Sequence, residues 1–156
     1  MIKRLLNSKH TNIFIFIILF IVFCITSFAA KNILISNFNN KDFGPVSIDY
    51  IKNTGAAFSM LNTHTTLLIV VSAIILAVIV FYILKNIKNF NKSDVIFTAM
   101  LCSGIICNMS ERVIDGFVTD YIRLNFITFP IFNISDLFIS AGAFMLICNI
   151  LFNNEQ

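Results

Sequence analysis

The chain has 156 residues, of which 58% are hydrophobic and 12% charged, with a mean hydropathy of +0.88. A soluble domain carries roughly 25% charged residues, so this composition excludes a water-covered globule and points to one compact membrane domain over residues 1–156. The formal net charge of +3 is too small to suggest a nucleic-acid partner.

Four apolar segments follow in order: Ile13 to Ala30, Leu67 to Leu84, Val95 to Met109 and Leu137 to Phe152. A spanning helix needs about 20 residues, with a lower limit near 17. The first two segments meet that limit alone. The last two become spans only if the polar residues at their ends lie at the interface or face other helices. Lys3, Arg4 and Lys9 before the first segment, and Ser27-Phe28-Ala29-Ala30 at its end, also fit a cleaved signal peptide. Because the remainder is itself a membrane protein, an uncleaved first span is expected.

Lys3, Arg4 and Lys9 share a side with Lys85, Lys88 and Lys92 in a four-span chain, which makes that side cytoplasmic. Between spans one and two, Asn37 to Asn40 and Gly44-Pro45 are turn signals. Val46, Ile48 and Tyr50 alternate with polar neighbours at strand spacing, and Asn53-Thr54-Gly55 turns the chain. The expected fold is therefore an all-α polytopic membrane protein of four transmembrane helices, with a small external β-strand region after the first helix. Cys24, Cys102, Cys107 and Cys148 lack metal-ligand spacing with a histidine and read as small buried apolar residues. His10 and His64 stand alone and read as solvated or interfacial.

The stretch from Asn108 to Asp136 holds four acids, two arginines and three asparagines between two apolar spans. Ionisable groups at such a depth are functional candidates by default. Asp115 and Arg123 read as solvated loop charges. Asp136 stands at the mouth of the last span, after Asn133. Two carboxylates in a partly dry site cannot both ionise cheaply; sharing a proton makes one a base and the other an acid. Asp120 and Asp136, both external, are the candidates. Glu111, three residues after Asn108, shares its helix face and reads as structural, orienting Arg112, which also has Asp115 within reach.

Three blocks carry a family resemblance. They are Asn53-Thr54-Gly55-Ala56-Ala57-Phe58-Ser59, then Asn108-Met109-Ser110-Glu111-Arg112 with Gly116, Val118 and Asp120-Tyr121, then Phe129-Pro130-Ile131-Phe132-Asn133-Ile134-Ser135-Asp136. In that order they resemble the N-x-G-A-A-F-S, G-N-x-x-D-R…G-x-V-x-D-F and F-P-x-F-N-x-A-D motifs of lipoprotein signal peptidase (signal peptidase II), over nearly the whole length. The resemblance implies an aspartic endopeptidase with its dyad on Asp120 and Asp136. It implies removal of the signal peptide from diacylglyceryl-modified prolipoproteins, just before the lipidated cysteine, with no metal and no organic cofactor. It puts Asn53, Asn108, Arg112 and Asn133 on positions lining the site. Partners are then lipid-modified precursors and membrane lipids, and the protein is expected as a monomer in a bacterial cell (inner) membrane with its site outside. Lys31 matches the family's lysine at the end of an uncleaved first span, but the chain departs from the pattern at Ser27, four residues earlier, where the family has an aspartate, and at Cys107, Glu111 and Ser135, which replace a glycine, an aspartate and an alanine. Two rival readings are a small polytopic transporter, which would place acids in mid-span, and a non-catalytic relative that binds precursors without cutting them.

Overall fold

The computed structural model describes residues 2–55 and 64–153. Ala56, Ala57, Phe58 and Ser59 of the first sequence block lie outside the described residues. Four helices and three strands follow in the order α1 (Ile2–Phe38), β1 (Lys41–Asp42), β2 (Val46–Asn53), α2 (Thr65–Asn86), α3 (Lys92–Asp115), β3 (Val118–Leu124) and α4 (Ile134–Asn153). A 3-10 turn, Ile87–Asn89, joins α2 to α3. Three helices are long and apolar enough to cross a membrane, and α4 is a shorter apolar helix. The chain is a multi-pass membrane protein in which α1 and α2 present most of their apolar side chains outward.

Helix α3 is the central element and packs against α1, α2 and α4. Its inward residues are mostly small: Thr98, Ala99, Cys102, Ser103, Gly104 and Cys107 are all buried. Small side chains let backbones approach closely where lipid supplies no hydrophobic drive between helices. The approach of α4 is closest at two glycines. A Cβ on Gly104 would lie 2.5 Å from the Ser135 carbonyl oxygen, and one on Gly142 would lie 2.8 Å from both Leu101 N and Phe97 O.

Polar side chains close the bundle at the lysine-rich end. Asn12 Nδ2 donates to the Ile87 and Phe90 carbonyls at 3.0 and 2.9 Å. Asn91 caps α3 in a reciprocal box with Asp94, and Asp94 also accepts from Asn149. These bonds satisfy backbone groups left open at the helix ends.

At the opposite end the strands form an antiparallel sheet in the order β1-β2-β3. Strand β3 corrects the sequence reading: the sheet is not confined to the segment after the first helix, because its last strand lies between α3 and α4. The all-α description is corrected accordingly to a helical bundle with a three-stranded sheet. Ile51 faces Asp120 and Asn53 faces Val118, while the pairing shifts register between Ile48 and Ile51. Such a bulge re-aims the side chains beyond it. It explains why Ile48 is buried while Tyr50, two residues on, is exposed.

Two further expectations are revised. Helix α1 itself runs past Lys31 to Phe38, with Ser27 buried in the bundle. Cys102 and Cys107 are buried, but Cys24 and Cys148 are only half-buried. Arg123 is not simply solvated: its Nε lies 2.6 Å from Asp49 Oδ2 across the sheet. Both His10 and His64 are exposed.

The tightness at the α3–α4 crossing yields a prediction. Gly142→Val should destabilise the protein by about 1–3 kcal/mol or more, the scale of overpacking a filled interior. Thermal unfolding in detergent should show a lowered Tm, whereas Ala substitution at exposed Thr26 should leave it unchanged.

Candidate active site

The linker between β3 and α4 brings distant sequence together. Phe132 pairs with Ile122 in an antiparallel bridge, and its carbonyl accepts from both Tyr121 N and Ile122 N at 3.0 and 2.8 Å. Folding back on β3 carries the next residue, Asn133, alongside Asp120. There Asn133 begins α4. Its Oδ1 accepts from Asp136 N at 3.0 Å, and Asp136 Oδ2 accepts from Asn133 N at 3.1 Å. This reciprocal pair is a capping box, with the aspartate three residues past the cap. Asp136 is thus held in the first turn of α4, where the helix dipole favours a negative charge.

The free half of the Asn133 amide reaches across to the strand, with Nδ2 donating to Asp120 Oδ1 at 2.8 Å. The second oxygen of Asp120 accepts from Asn53 Nδ2 at 2.7 Å. Asn53 is held in turn, because its own Oδ1 accepts from Gly55 N at 2.9 Å. On the other carboxylate, Asp136 Oδ1 accepts from Asn108 Nδ2 at 2.7 Å. Three asparagine side chains therefore donate to two carboxylates, adding hydrogen bonds without adding charge.

Asp120 is only 3% exposed. Burial pushes its pKa up to about 6. The Asn53 bond opposes that rise, the Asp136 charge adds to it, and the Asn133 bond and Arg112 charge oppose it. A carboxyl poised near neutrality is the state general acid–base chemistry requires.

Arg112 is beside the pair. Its Nη2 donates to the Gly55 carbonyl at 2.9 Å and its Nη1 makes a long bond of 3.4 Å to the Asn108 carbonyl. The reading that Glu111 or Asp115 orients it is corrected. Glu111 is buried and turns the other way: Oε1 lies 3.3 Å from Lys31 Nζ, and Oε2 accepts from Thr119 N at 2.9 Å. Asp115 is exposed on the last turn of α3. Among the described residues, two buried side-chain atoms have no hydrogen-bond partner, Asn108 Oδ1 and Arg112 Nε, and both belong to this cluster.

Asn53, Asn108, Arg112, Asp120, Asn133 and Asp136 thus meet in one place at the sheet end of the bundle. Sequence reasoning missed Gly55 O as the anchor of Arg112, and missed the Lys31–Glu111–Thr119 chain behind Asp120. A backbone acceptor leaves no sequence signal. The lysine's match to the family motif marked its position but not its partner.

Among the described residues no acid lies at mid-span and all but Asp94 stand at the sheet end of the bundle, an arrangement that suits chemistry at one end of a membrane protein rather than a proton path through it. Residues 15–152 match the family model described as signal peptidase (SPase) II, and the chain belongs to that family of peptidases. It is 35% identical over 115 residues to the lipoprotein signal peptidase of Streptococcus thermophilus (strain CNRZ 1066), covering 72% of each chain. It is 32% identical over 130 residues to that of Lactococcus lactis subsp. lactis (strain IL1403), covering 80% of this chain and 85% of the relative. Two solved structures, each titled as a bacterial membrane enzyme, share the fold. One has a TM-score of 0.73 at 25% identity over 93% of this chain and 90% of its own; the other has 0.69 at 26% identity over 92% and 94%.

The raised Asp120 pKa has a stability consequence. Its folded value of about 6 lies above the ordinary carboxyl value near 3.9, so ionisation is harder in the fold. The folded state then binds more protons than the unfolded state between about pH 4 and pH 6, and stability falls as pH rises through that window. Asp120→Asn removes that slope. Relative to the variant, the wild type should lose stability from pH 4 to 6 and then level off, by about 1–3 kcal/mol in all. Unfolding in detergent at stepped pH reads the difference directly.

Proposed function

We propose that this protein removes the signal peptide from lipid-modified prolipoproteins, cutting before the lipidated cysteine, with Asp120 and Asp136 as the catalytic pair. The single observation that carries the reading is the double role of Asn133: one side-chain amide joins the buried carboxylate of Asp120 on the strand to the backbone N–H of Asp136 at the start of α4. One member of the pair is ionised and draws a proton from water as that water attacks the scissile carbonyl. The other is protonated and donates to the developing oxyanion or the leaving amine. Asn53, Asn108 and Asn133 hold the carboxylates. Together with Arg112 these asparagines line the site where the substrate binds.

The working unit in this reading is one domain, acting as a monomer in the bacterial cell (inner) membrane. All four helices cross, both termini are cytoplasmic and the sheet lies outside. Lys85, Lys88 and Lys92 at the end opposite the sheet support this orientation. Reporter fusions should report the outside at Asn40 and Asn125 and the cytoplasm at Asn89. An external report from Asn89 would reverse the topology.

The decisive experiment incubates the purified protein with a diacylglyceryl-modified precursor and follows the shortened product. Asp120→Asn and Asp136→Asn should each lose at least ~10²–10⁴-fold in turnover, the scale of general acid–base catalysis. Exposed Asp115 should tolerate replacement by Asn with little loss. The wild-type rate should follow a bell in pH whose limbs belong to the pair jointly. Near-normal cleavage by Asp120→Asn, with Asp115→Asn inactive, would reassign the carboxylate.

A further inference from the structure

Helix α1 contributes no side chain to the carboxylate cluster, yet it reaches both halves from behind. Ser27 and Lys31 are one turn apart on the same face, about 6 Å along the axis. Ser27 Oγ lies 2.5 Å from Ser135 Oγ, and both residues are buried. Ser135 immediately precedes Asp136. Lys31 Nζ lies 3.3 Å from Glu111 Oε1, whose other oxygen accepts from Thr119 N. Thr119 immediately precedes Asp120. Each contact therefore ends on the residue just before one of the two carboxylates.

The surroundings leave these contacts little slack. The Ser135 carbonyl lies against Gly104, where even a methyl group would clash, so the first turn of α4 is wedged between α3 and Ser27. Thr119 and Asp120 are buried neighbours on β3 and project from opposite faces of the strand. A shift of the Lys31–Glu111 arm moves that strand, and a shift of the Ser27–Ser135 arm moves that helix turn.

We infer that α1 is a strut whose Ser27 and Lys31, as positioning residues, set the separation between Asp120 and Asp136. This rests on the proposed reading of the two carboxylates as the catalytic pair. Substrate is touched by neither positioning residue; the strut acts on how strongly the two carboxylates interact. The charged groups facing the pair are Arg112 and Glu111, so removing the Ser27 hydroxyl alters the geometry without altering the local charge.

The test uses the full-length protein and the same lipid-modified precursor. Ser27→Ala and Ser135→Ala should each lower kcat by ~10–10²-fold, the scale of an ångström-size misplacement, with KM little changed. The double variant should be no worse than either single, because both remove one interaction. The two limbs of the pH–rate bell should draw together, since carboxylates free to separate repel less and titrate more alike. Lys31→Met combined with Glu111→Gln, which keeps that arm electrically neutral, should narrow the bell in the same sense. Ser27→Thr, which retains the hydroxyl, should recover most turnover. Thr26→Ala removes an exposed hydroxyl bonded only within its own helix and should change nothing.

Unchanged limbs in Ser27→Ala, whether activity is normal or merely tracks the folded fraction, would overturn the strut. So would losses in Ser27→Ala and Ser135→Ala that multiply in the double variant. If Ser27→Ala fails to fold, Ser27→Cys, similar in size with a weaker donor, carries the same comparison. Asp136→Asn in the same assay separates the two claims. Retained turnover there rejects the catalytic pair itself. An inactive Asp136→Asn beside a wild-type Ser27→Ala rejects the strut alone.

Discussion

The side-chain amide of Asn133 has two ends, and the site depends on both being used. Its oxygen caps the start of α4 by accepting from Asp136 N, and its nitrogen donates to Asp120 on β3. Either bond alone is ordinary: one is a helix cap, the other a neutral donor on a carboxylate. Together they make the start of a membrane helix and the edge of a surface sheet into one rigid piece. Replacing the amide with a hydroxyl would keep the cap and lose the bridge. Replacing it with a carboxylate would add a third negative charge to the cluster.

The electrostatics follow from that choice of residue. Carboxylates taken from water are costly unless they are hydrogen-bonded or paired. A second arginine would relieve the cost and hold both groups ionised, which would leave no acid. Amide donors relieve it in part, so Asp120 remains near 6, where it can hold or release a proton. Arg112, hydrogen-bonded to the Gly55 and Asn108 carbonyls, moderates the pair through its charge and makes no ion pair with either carboxylate.

The positions at which the chain departs from the family motifs also gain a physical account. Ser27 and Ser135 share a hydrogen bond, and Ser27, Cys107 and Ser135 are all buried. Two of the departures thus satisfy each other inside the bundle. The fourth, Glu111, is long enough to meet Lys31 and Thr119 N at once. These substitutions preserve packing and hydrogen bonding around the site instead of loosening it.

Much of this molecule is legible in one dimension. Long apolar runs require helices that satisfy their own backbone in lipid, so α1 and α2 follow from hydropathy alone. Lys85, Lys88 and Lys92 gather at the end opposite the sheet. Asp136 declares itself because an acid at the mouth of an apolar segment is expensive. Strand β2 shows in alternation up to the bulge, and the motif blocks mark the six residues that gather at the site. Strand β3 was hidden, because its residues sit in a polar stretch buried on both faces and alternation disappears when both faces are covered. The partners of Glu111, Arg112 and Ser27 were hidden for a different reason. They are separated by up to 108 positions, and three of the contacts end on backbone atoms that every residue possesses. Residue type can say that a buried charge needs a partner. Only the packing of α1 against α3, and of the 129–133 linker back on β3, decides which one it meets.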